Sequence, residues 1–413
     1  MKKDMFLPVI FGYEVEAYAF ARLFHESVGI KPLVVAHVSR GAIQPSTILD
    51  FRKIPVEGFD TEEGLVKVMR EIEEDYPDKT FIGLTNSDEI SATFAKHARE
   101  FASRWFLPVA DPAVIAVADS KTAMAEIYES LGLHIARGVE LNPQRPETWQ
   151  EAVEGIRFPV VMKPAVSVGK LEQHAKGLEK VEKFDTYEEL NAKLSALREN
   201  GLEFPVFVQQ LIPGDDTTQY VVNGYVDSRG RVTAAGSGRV LLNLHHPFYF
   251  GTAAFILTDP DSRFVDEAIR VVEKIGLRGF FSFDVKVDPR DGTEYWLDLN
   301  PRPGRGHYYM KVGGVDYARA LLDDVLGREP GAQRISKEAI FAIVPISLAN
   351  KTYLRDLELY GKVRAIRRRG DVVNPLAYKK DWHVKRLAYQ ALSGIRQKKI
   401  MKEYYPQPSE TGF

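Results

Sequence analysis

From residue 6 onward the chain alternates short apolar runs with stretches in which apolar residues recur every three or four positions. The runs at 6–11, 33–36 and 81–84 predict strands, and the periodic stretches at 14–27, 62–74 and 89–102 predict helices. Strand–helix alternation at this spacing implies a parallel sheet covered by helices. The turn after the first run holds only Gly12, so the G-x-G-x-x-G signature of a dinucleotide site is not supported.

Near residue 119 the pattern changes. A helix is expected over 121–131, a strand over 158–163, a helix over 187–198 and a strand over 206–210 that runs into Ile212-Pro213-Gly214-Asp215-Asp216. Further strands are expected at 219–226, 232–237 and 280–287. Antiparallel strands with helices between them point to α+β, so the predicted fold class is α/β followed by α+β. After Gly327, Lys and Arg crowd between 362 and 402, opposed there only by Asp371 and Asp381. Such a basic element reads as a contact surface or as a solvated helical face.

At 413 residues the chain exceeds what one core usually supports, so two or three domains are expected. A formal charge of −2 argues against nucleic-acid binding by bulk electrostatics. The absence of cysteine excludes disulfides, thiolate metal sites and a Cys nucleophile, and it fits a reducing compartment. Glu14 and Glu16 interrupt the first apolar run too early for a signal-peptide core. No window approaches the roughly 20 apolar residues of a membrane span. A cytoplasmic protein with no transmembrane segment is the expectation.

The densest chemistry lies at 281–305, FSFDVKVDPRDGTEYWLDLNPRPGR. Alternation along a strand sends Asp298, Asn300 and Arg302 to one face and Leu297 and Leu299 to the other. Asp288-Pro289-Arg290-Asp291-Gly292 is turn chemistry, and folding there sets Asp284 roughly opposite Asp298. Two carboxylates and an amide oxygen suit Mg²⁺, which usually shares its shell with substrate phosphates. Upstream stand Lys121 at a helix start, Lys163 at a strand end, and the Gln209-Gln210-Leu211-Ile212 segment leading to Asp216. Together these describe a nucleotide site, with cations for phosphate oxygens, a backbone edge for adenine, a carboxylate for ribose and acids for the metal.

That ordered set resembles the ATP-grasp superfamily of carboxylate–amine ligases over about residues 1–327. The resemblance implies an N-terminal Rossmann-like domain (1–118), a linker helix and small lid (119–211), a large α+β subdomain with the metal hairpin (212–327), and here a basic extension (328–413). It implies ATP and Mg²⁺, with Mn²⁺ possible, as cofactors. By position, Lys121 and Lys163 look like the phosphate lysines, Gln209, Gln210, Leu211 and Ile212 like the adenine segment, and Asp216 like the ribose carboxylate. Asp284, Asp298 and Asn300 look like the metal ligands, and Arg302 like the arginine that steadies the transferred phosphoryl group. The family commonly has Glu at 298. The D-alanine–D-alanine ligase branch has Arg where this chain has Ser282, and Arg239 is the candidate replacement. The segment 165–183, with Gly169, Lys170, Lys176, Gly177 and Lys180, stands where the family has a phosphate flap. His245 and His246 lack ligand spacing and are expected to pack or line the cleft.

Within the superfamily the chain looks most like the D-aspartate ligase group, which joins a D-amino-acid carboxylate to the lysine amine of a peptidoglycan precursor peptide. The expected partners are therefore a small carboxylate and an amine acceptor, with an anionic nucleotide-linked precursor meeting Arg367, Arg368, Arg369, Lys379 and Lys380. A ligase of free amino acids or small metabolites, and a nucleotide-binding module without turnover, are the competing readings.

Overall fold

The computed structural model describes residues 5–166 and 170–413. The first apolar runs form a parallel sheet of β1 (Phe6–Phe11), β2 (Leu33–Ala36), β3 (Asp50–Lys53), β4 (Thr80–Thr85) and β5 (Trp105–Phe106), in the order β3-β2-β1-β4-β5. Helices cover the sheet, so β1 is buried along its whole length and reads as an unbroken apolar run. The edge strand β3, Asp50-Phe51-Arg52-Lys53, is too polar and exposed to show in the hydrophobic pattern. Thr61 and Ser87 cap the helices Glu62–Asp75 and Asp88–Phe101 through their hydroxyls. The second cap follows β4 directly and delivers Asp88 to the carboxyl end of the sheet, where open α/β folds gather functional groups.

A small antiparallel sheet follows, made of β6 (Gly138–Leu141), β7 (Val160–Pro164), β8 (Glu182–Phe184) and β9 (Val206–Gln210) in the order β6-β9-β7-β8. Its apolar face closes on Trp149 and on Leu190, Leu194 and Leu197 of the helix Tyr187–Glu199. The third sheet contains β10 (Gln219–Val226), β11 (Val232–Leu244), β12 (Thr252–Asp259), β13 (Gly279–Val287) and β14 (Glu294–Asn300), running β14-β13-β10-β11-β12. β11 extends well past the expected 237, and its pairing with β12 shifts register on either side of Leu242.

Residues 328–413, expected as a basic extension, contribute short strands to this sheet. β15 (Gln333–Arg334) pairs with β11, while β16 (Ile340–Ala342) and β17 (Val372–Val373) continue the order beyond β12. Strands of two or three residues carry no periodicity, which is why they escape a reading of the sequence. The helix Leu357–Arg369 lies between β16 and β17, and the helix Val384–Tyr404 follows β17. No helix among the described residues is long and apolar enough to cross a membrane.

The parallel sheet and the large sheet share one core. Tyr18, Phe20 and Phe24 of the helix Val15–Val28 pack with Phe280, Tyr308 and Tyr317. Within it His307 is fully buried, stacks on Phe20 at 3.8 Å and donates from Nε2 to the Glu16 carbonyl at 3.3 Å. Burial pushes its pKa down to about 4 from the ordinary 6.5. The unfolded chain therefore binds a proton between those values that the folded chain refuses, so stability is lost as pH falls through this window. From neutral pH to about pH 5 the loss should be about 2 kcal/mol. Denaturant titrations should show that loss in the wild type and not in His307→Gln; equal losses in both would remove His307 as the titrating group.

Candidate active site

Strands β13 and β14 form the expected hairpin. Asp288 ties the turn, accepting from the backbone N–H of Arg290 at 2.9 Å and from its guanidinium at 2.6 Å. Gly292 takes φ 75°, a conformation that disfavours a side chain. Ser282 then pairs with Asn300 and Phe283 with Leu299, but Val285 pairs with Trp296. One extra residue on β14 therefore bulges opposite Asp284. The bulge turns Trp296 into the core beside Leu299 and Phe283, leaving both Leu297 and Asp298 only partly buried, so the strict alternation expected for 297 does not hold. Asp284, Asp298, Asn300 and Arg302 all front one cavity of about 420 Å³.

Lys121 and Lys163 both converge on Asp298. Lys121 opens the helix Lys121–Ser130 behind the Ser120 cap, and a cation there opposes the helix dipole. Its Nζ reaches Asp298 Oδ1 at 2.5 Å, while Nζ of Lys163, at the end of β7, reaches Oδ2 at 2.7 Å. Burial disfavours a charged Asp298, but the two ammoniums win and hold its carboxyl well below the usual range. Burial lowers the Lys163 pKa despite that partner, and repulsion from Lys121 adds to the lowering. Among the described residues Asp284 has no ion-pair partner and takes one hydrogen bond, from Gln219 Nε2 at 3.1 Å. Burial and the charge of Asp298 push it up to about 6.

The segment Gln209 to Ile212 is the end of β9, an inner strand of the small sheet, and the turn that leaves it. The Gln210 amide donates to Arg137 and the Leu211 amide to Pro159, which fixes the backbone, and Gln209 borders a small cavity beside Lys121 and Leu297. Asp216 is buried and satisfied. It accepts from the Asn243 backbone at 2.8 Å, from Asn243 Nδ2 at 3.0 Å and from His245 Nε2 at 2.9 Å. Asn243 Nδ2 also donates to Gln219 Oε1, so hydrogen bonds run from Asp284 to His245 without a break. His245 thus serves Asp216, and no cluster of three His, Cys, Asp or Glu able to hold a metal exists among the described residues. In the expected flap, Gly169 lies outside the described residues; Lys180 Nζ donates to the Phe250 carbonyl at 2.5 Å and borders the main cavity.

The two candidate arginines separate. Arg302 faces the cavity, donates to Asn300 Oδ1 at 3.1 Å and is clamped by both carboxylate oxygens of Asp88. Arg239 does not belong to the site. It pairs with Tyr220 and Leu257, whereas Val221, Gly238 and Asp284 occupy the opposite face, and its Nε donates to the Thr217 carbonyl at 2.7 Å. Besides Arg302, the cavity is lined by Arg305, held at 3.1 Å by Glu14, which also accepts from Tyr249 at 2.7 Å. Asp88 and Glu14 escaped the sequence reading because their partners lie more than 200 positions away.

The chain's last residues return to this region. The Gly214 amide donates to the Glu410 carbonyl at 2.7 Å, and Tyr405 stacks on His245 with centroids 3.5 Å apart. Phe413 stacks on Phe250, whose carbonyl holds Lys180. The basic residues expected at an acceptor entrance lie elsewhere. None of Arg367, Arg368, Arg369, Lys379 and Lys380 borders the main cavity; Arg369 pairs with Asp371, and Lys379 and Lys380 line a separate groove beside Arg22.

Since Asp298 neutralises two part-buried ammoniums, its loss should be felt by the fold as well as by the chemistry. Removing one partner of a buried pair leaves uncompensated charge and costs about 3 kcal/mol or more when burial is complete, less here because the site is part-open. Asp298→Asn should lower the unfolding midpoint at low salt, and added ADP should recover most of the loss by giving the lysines phosphate oxygens. A midpoint unchanged in both conditions would show that the pair contributes nothing to the closed cleft.

No family model matches the sequence. D-aspartate ligase from Enterococcus faecium (strain Aus0004) is 28% identical over 334 residues, covering 80% of this chain and 79% of that protein. Among solved structures, N5-carboxyaminoimidazole synthetase from Staphylococcus aureus superposes with a TM-score of 0.57 at 14% identity, covering 82% of each chain. An L-amino acid ligase from Bacillus licheniformis superposes with a TM-score of 0.54 at 18% identity, covering 80% of this chain and 76% of that one. The chain therefore has the ATP-grasp fold and is a homologue of D-aspartate ligase, an ATP-dependent ligase.

Proposed function

We propose that the chain joins an amino-acid carboxylate, aspartate-like and of D configuration, to the lysine side-chain amine of a peptidoglycan precursor peptide. The observation that carries the substrate choice is the relationship to D-aspartate ligase across four-fifths of both chains. In the proposed reaction the substrate carboxylate takes the γ-phosphoryl group of ATP, releasing ADP. The amine then attacks the acyl-phosphate, and phosphate leaves as the amide forms.

The chain's own share is positioning and electrostatics. Lys121 and Lys163 would exchange Asp298 for phosphate oxygens. Arg302, oriented by Asp88, would face the transferring group. Gly304 lines the cavity where any Cβ would meet Ser282 Oγ at 2.7 Å and Asn223 Nδ2 at 3.0 Å. Asn223 Nδ2 is buried and has no partner among the described residues, so it is available to an oxyanion. Arg305 supplies the cation for a substrate carboxylate that Arg239 cannot. The donor set of Asp284, Asp298 and Asn300 is all oxygen, which fits Mg²⁺ and also Mn²⁺. Bound there, the metal would neutralise charge across the phosphates.

A second reading, a ligase of free amino acids, is favoured by one observation: the basic residues expected to meet an anionic precursor do not border the cavity. ADP release measured against a panel of carboxylates, each with a free amine or a lysine-containing precursor peptide, separates the two. D-aspartate with the peptide should be the best pair; turnover with free amino acids alone would transfer the proposal to the second reading.

Two substitutions test the assignments within the site. Lys163→Ala should raise the KM for ATP and lower kcat together, since its charge serves both bound and reacting phosphates. Asp88→Asn should leave ATP affinity near normal and lower kcat by about tenfold or more, because Arg302 loses its orientation. Wild-type kcat in Asp88→Asn would remove Arg302 from the phosphoryl site.

The returning tail gives a further expectation. Tyr405→Leu frees His245 and so loosens Asp216, which should raise the KM for ATP severalfold while kcat at saturation stays within about twofold. Unchanged ATP affinity would assign Asp216 and its partners to structure alone.

A further inference from the structure

The helix Val384–Tyr404 has 21 residues, yet only Arg386 and Met401 are buried. What fixes it is narrow. The Arg386 guanidinium lies 4.1 Å over the Tyr18 ring, pairs with buried Asp381 at 2.7 Å and donates to the carbonyls of Ala42 and Leu376. Near the other end, Met401 enters the core of the large sheet, and Tyr405 stacks on His245. Gly394 passes close to Pro345 between the two.

Tyr389 packs against the shared core and Gln390 Nε2 donates to the Leu376 carbonyl at 2.8 Å, but the outward face of the helix is apolar where a solvated helix would be polar. Val384, Leu392 and Ile395 are each about two-thirds exposed, with Leu387 and the small Ala388 and Ala391 between them. The spacing 384, 387/388, 391/392, 395 repeats every three to four residues, so these side chains form one stripe. Trp382, 68% exposed, precedes it. Exposed Lys385, Arg396, Lys398, Lys399 and Lys402 flank the stripe, exposed Lys379 and Lys380 stand just before it, and no acidic residue occurs between Asp381 and Glu403. Burying the stripe against another part of this chain would leave those cations unopposed.

We propose that this helix docks in the plane of an anionic lipid bilayer surface, its aliphatic stripe and Trp382 at the headgroup boundary and its cations on the lipid phosphates. Charge selects this occupant. A second copy packed stripe to stripe would set like cations against one another, whereas an anionic bilayer offers a hydrocarbon layer rimmed by negative charge. A cationic helix with an aliphatic face and an aromatic residue has the composition that binds there. The surface is separate from the cavity that holds Asp284 and Asp298, so the proposal does not rest on the proposed reaction.

The test uses the full chain and sedimentation with vesicles of mixed phosphatidylglycerol and phosphatidylcholine, against phosphatidylcholine alone. The protein should pellet with the mixed vesicles and not with the neutral ones, and high salt should release it. Trp emission should shift blue on binding, a shift absent in Trp382→Phe. Leu392→Glu with Ile395→Glu, and separately Lys398→Glu with Lys399→Glu, should each lower partitioning by about tenfold or more. Circular dichroism and ADP binding, both unchanged, would show that these variants remain folded. Equal sedimentation with both vesicle types, none with either, or a solution dimer that the Leu392 and Ile395 substitutions dissociate would overturn the proposal.

Discussion

Everything in the cleft is arranged around one electrostatic fact: two lysines from different elements share a single carboxylate. Lys121 comes from a helix start and Lys163 from the small sheet, and Asp298 meets both from a bulge on the large sheet. Two ammoniums that close repel each other, and their approach is tolerable only with an anion between them. The small and large sheets therefore meet where negative charge is present, whether it comes from Asp298 or from phosphate oxygens. Each sheet keeps its own packed core on either side of that junction.

The second support is the rigidity of the floor. Arg302 is oriented by Asp88, which the Ser87 cap places at the end of the parallel sheet, and Arg305 is oriented by Glu14 at the end of β1. Both cavity arginines thus take their aim from the N-terminal sheet although they belong to the large one. The shared core of Phe20, Phe280 and Tyr317 holds those two sheets in register. A change in that core would reach the cavity through the two ion pairs.

How much of this the sequence disclosed follows the range of the interactions. Strands β1, β2, β9 and β10 are strongly apolar or alternate cleanly, and their limits agree with the hydrophobic pattern. The hairpin and its turn were legible because Asp288 and Gly292 act within a few residues. Asp284, Asp298, Asn300 and Arg302 do share a cavity, and Lys121 and Lys163 both reach Asp298. What stayed hidden depends on register or on distant partners. Arg239 was expected at the site, but a residue's side of a sheet is set by pairing with neighbours far along the chain. The bulge follows from Trp296 seeking the core, which no alternation pattern reveals. Arg386 read as one more solvated cation, yet it is among the most deeply buried charges in the molecule.

That buried arginine bears on how the molecule comes apart. Asp381 bonds Tyr18, Ser46 and Thr47, partners 334 to 363 positions away, and with Arg386 it clamps the last helix onto the first sheet. Loop-closure entropy grows only logarithmically with length, so such a distant clasp costs little more than a near one once both halves are built. It can close, however, only after those halves exist. With so few side chains anchoring it, the helix Val384–Tyr404 has the makings of its own cooperative unit, opening and reclosing while the three sheets stay intact. Its amides would then exchange with solvent far sooner than those of β10 or β13, and a protease would find its first cut there.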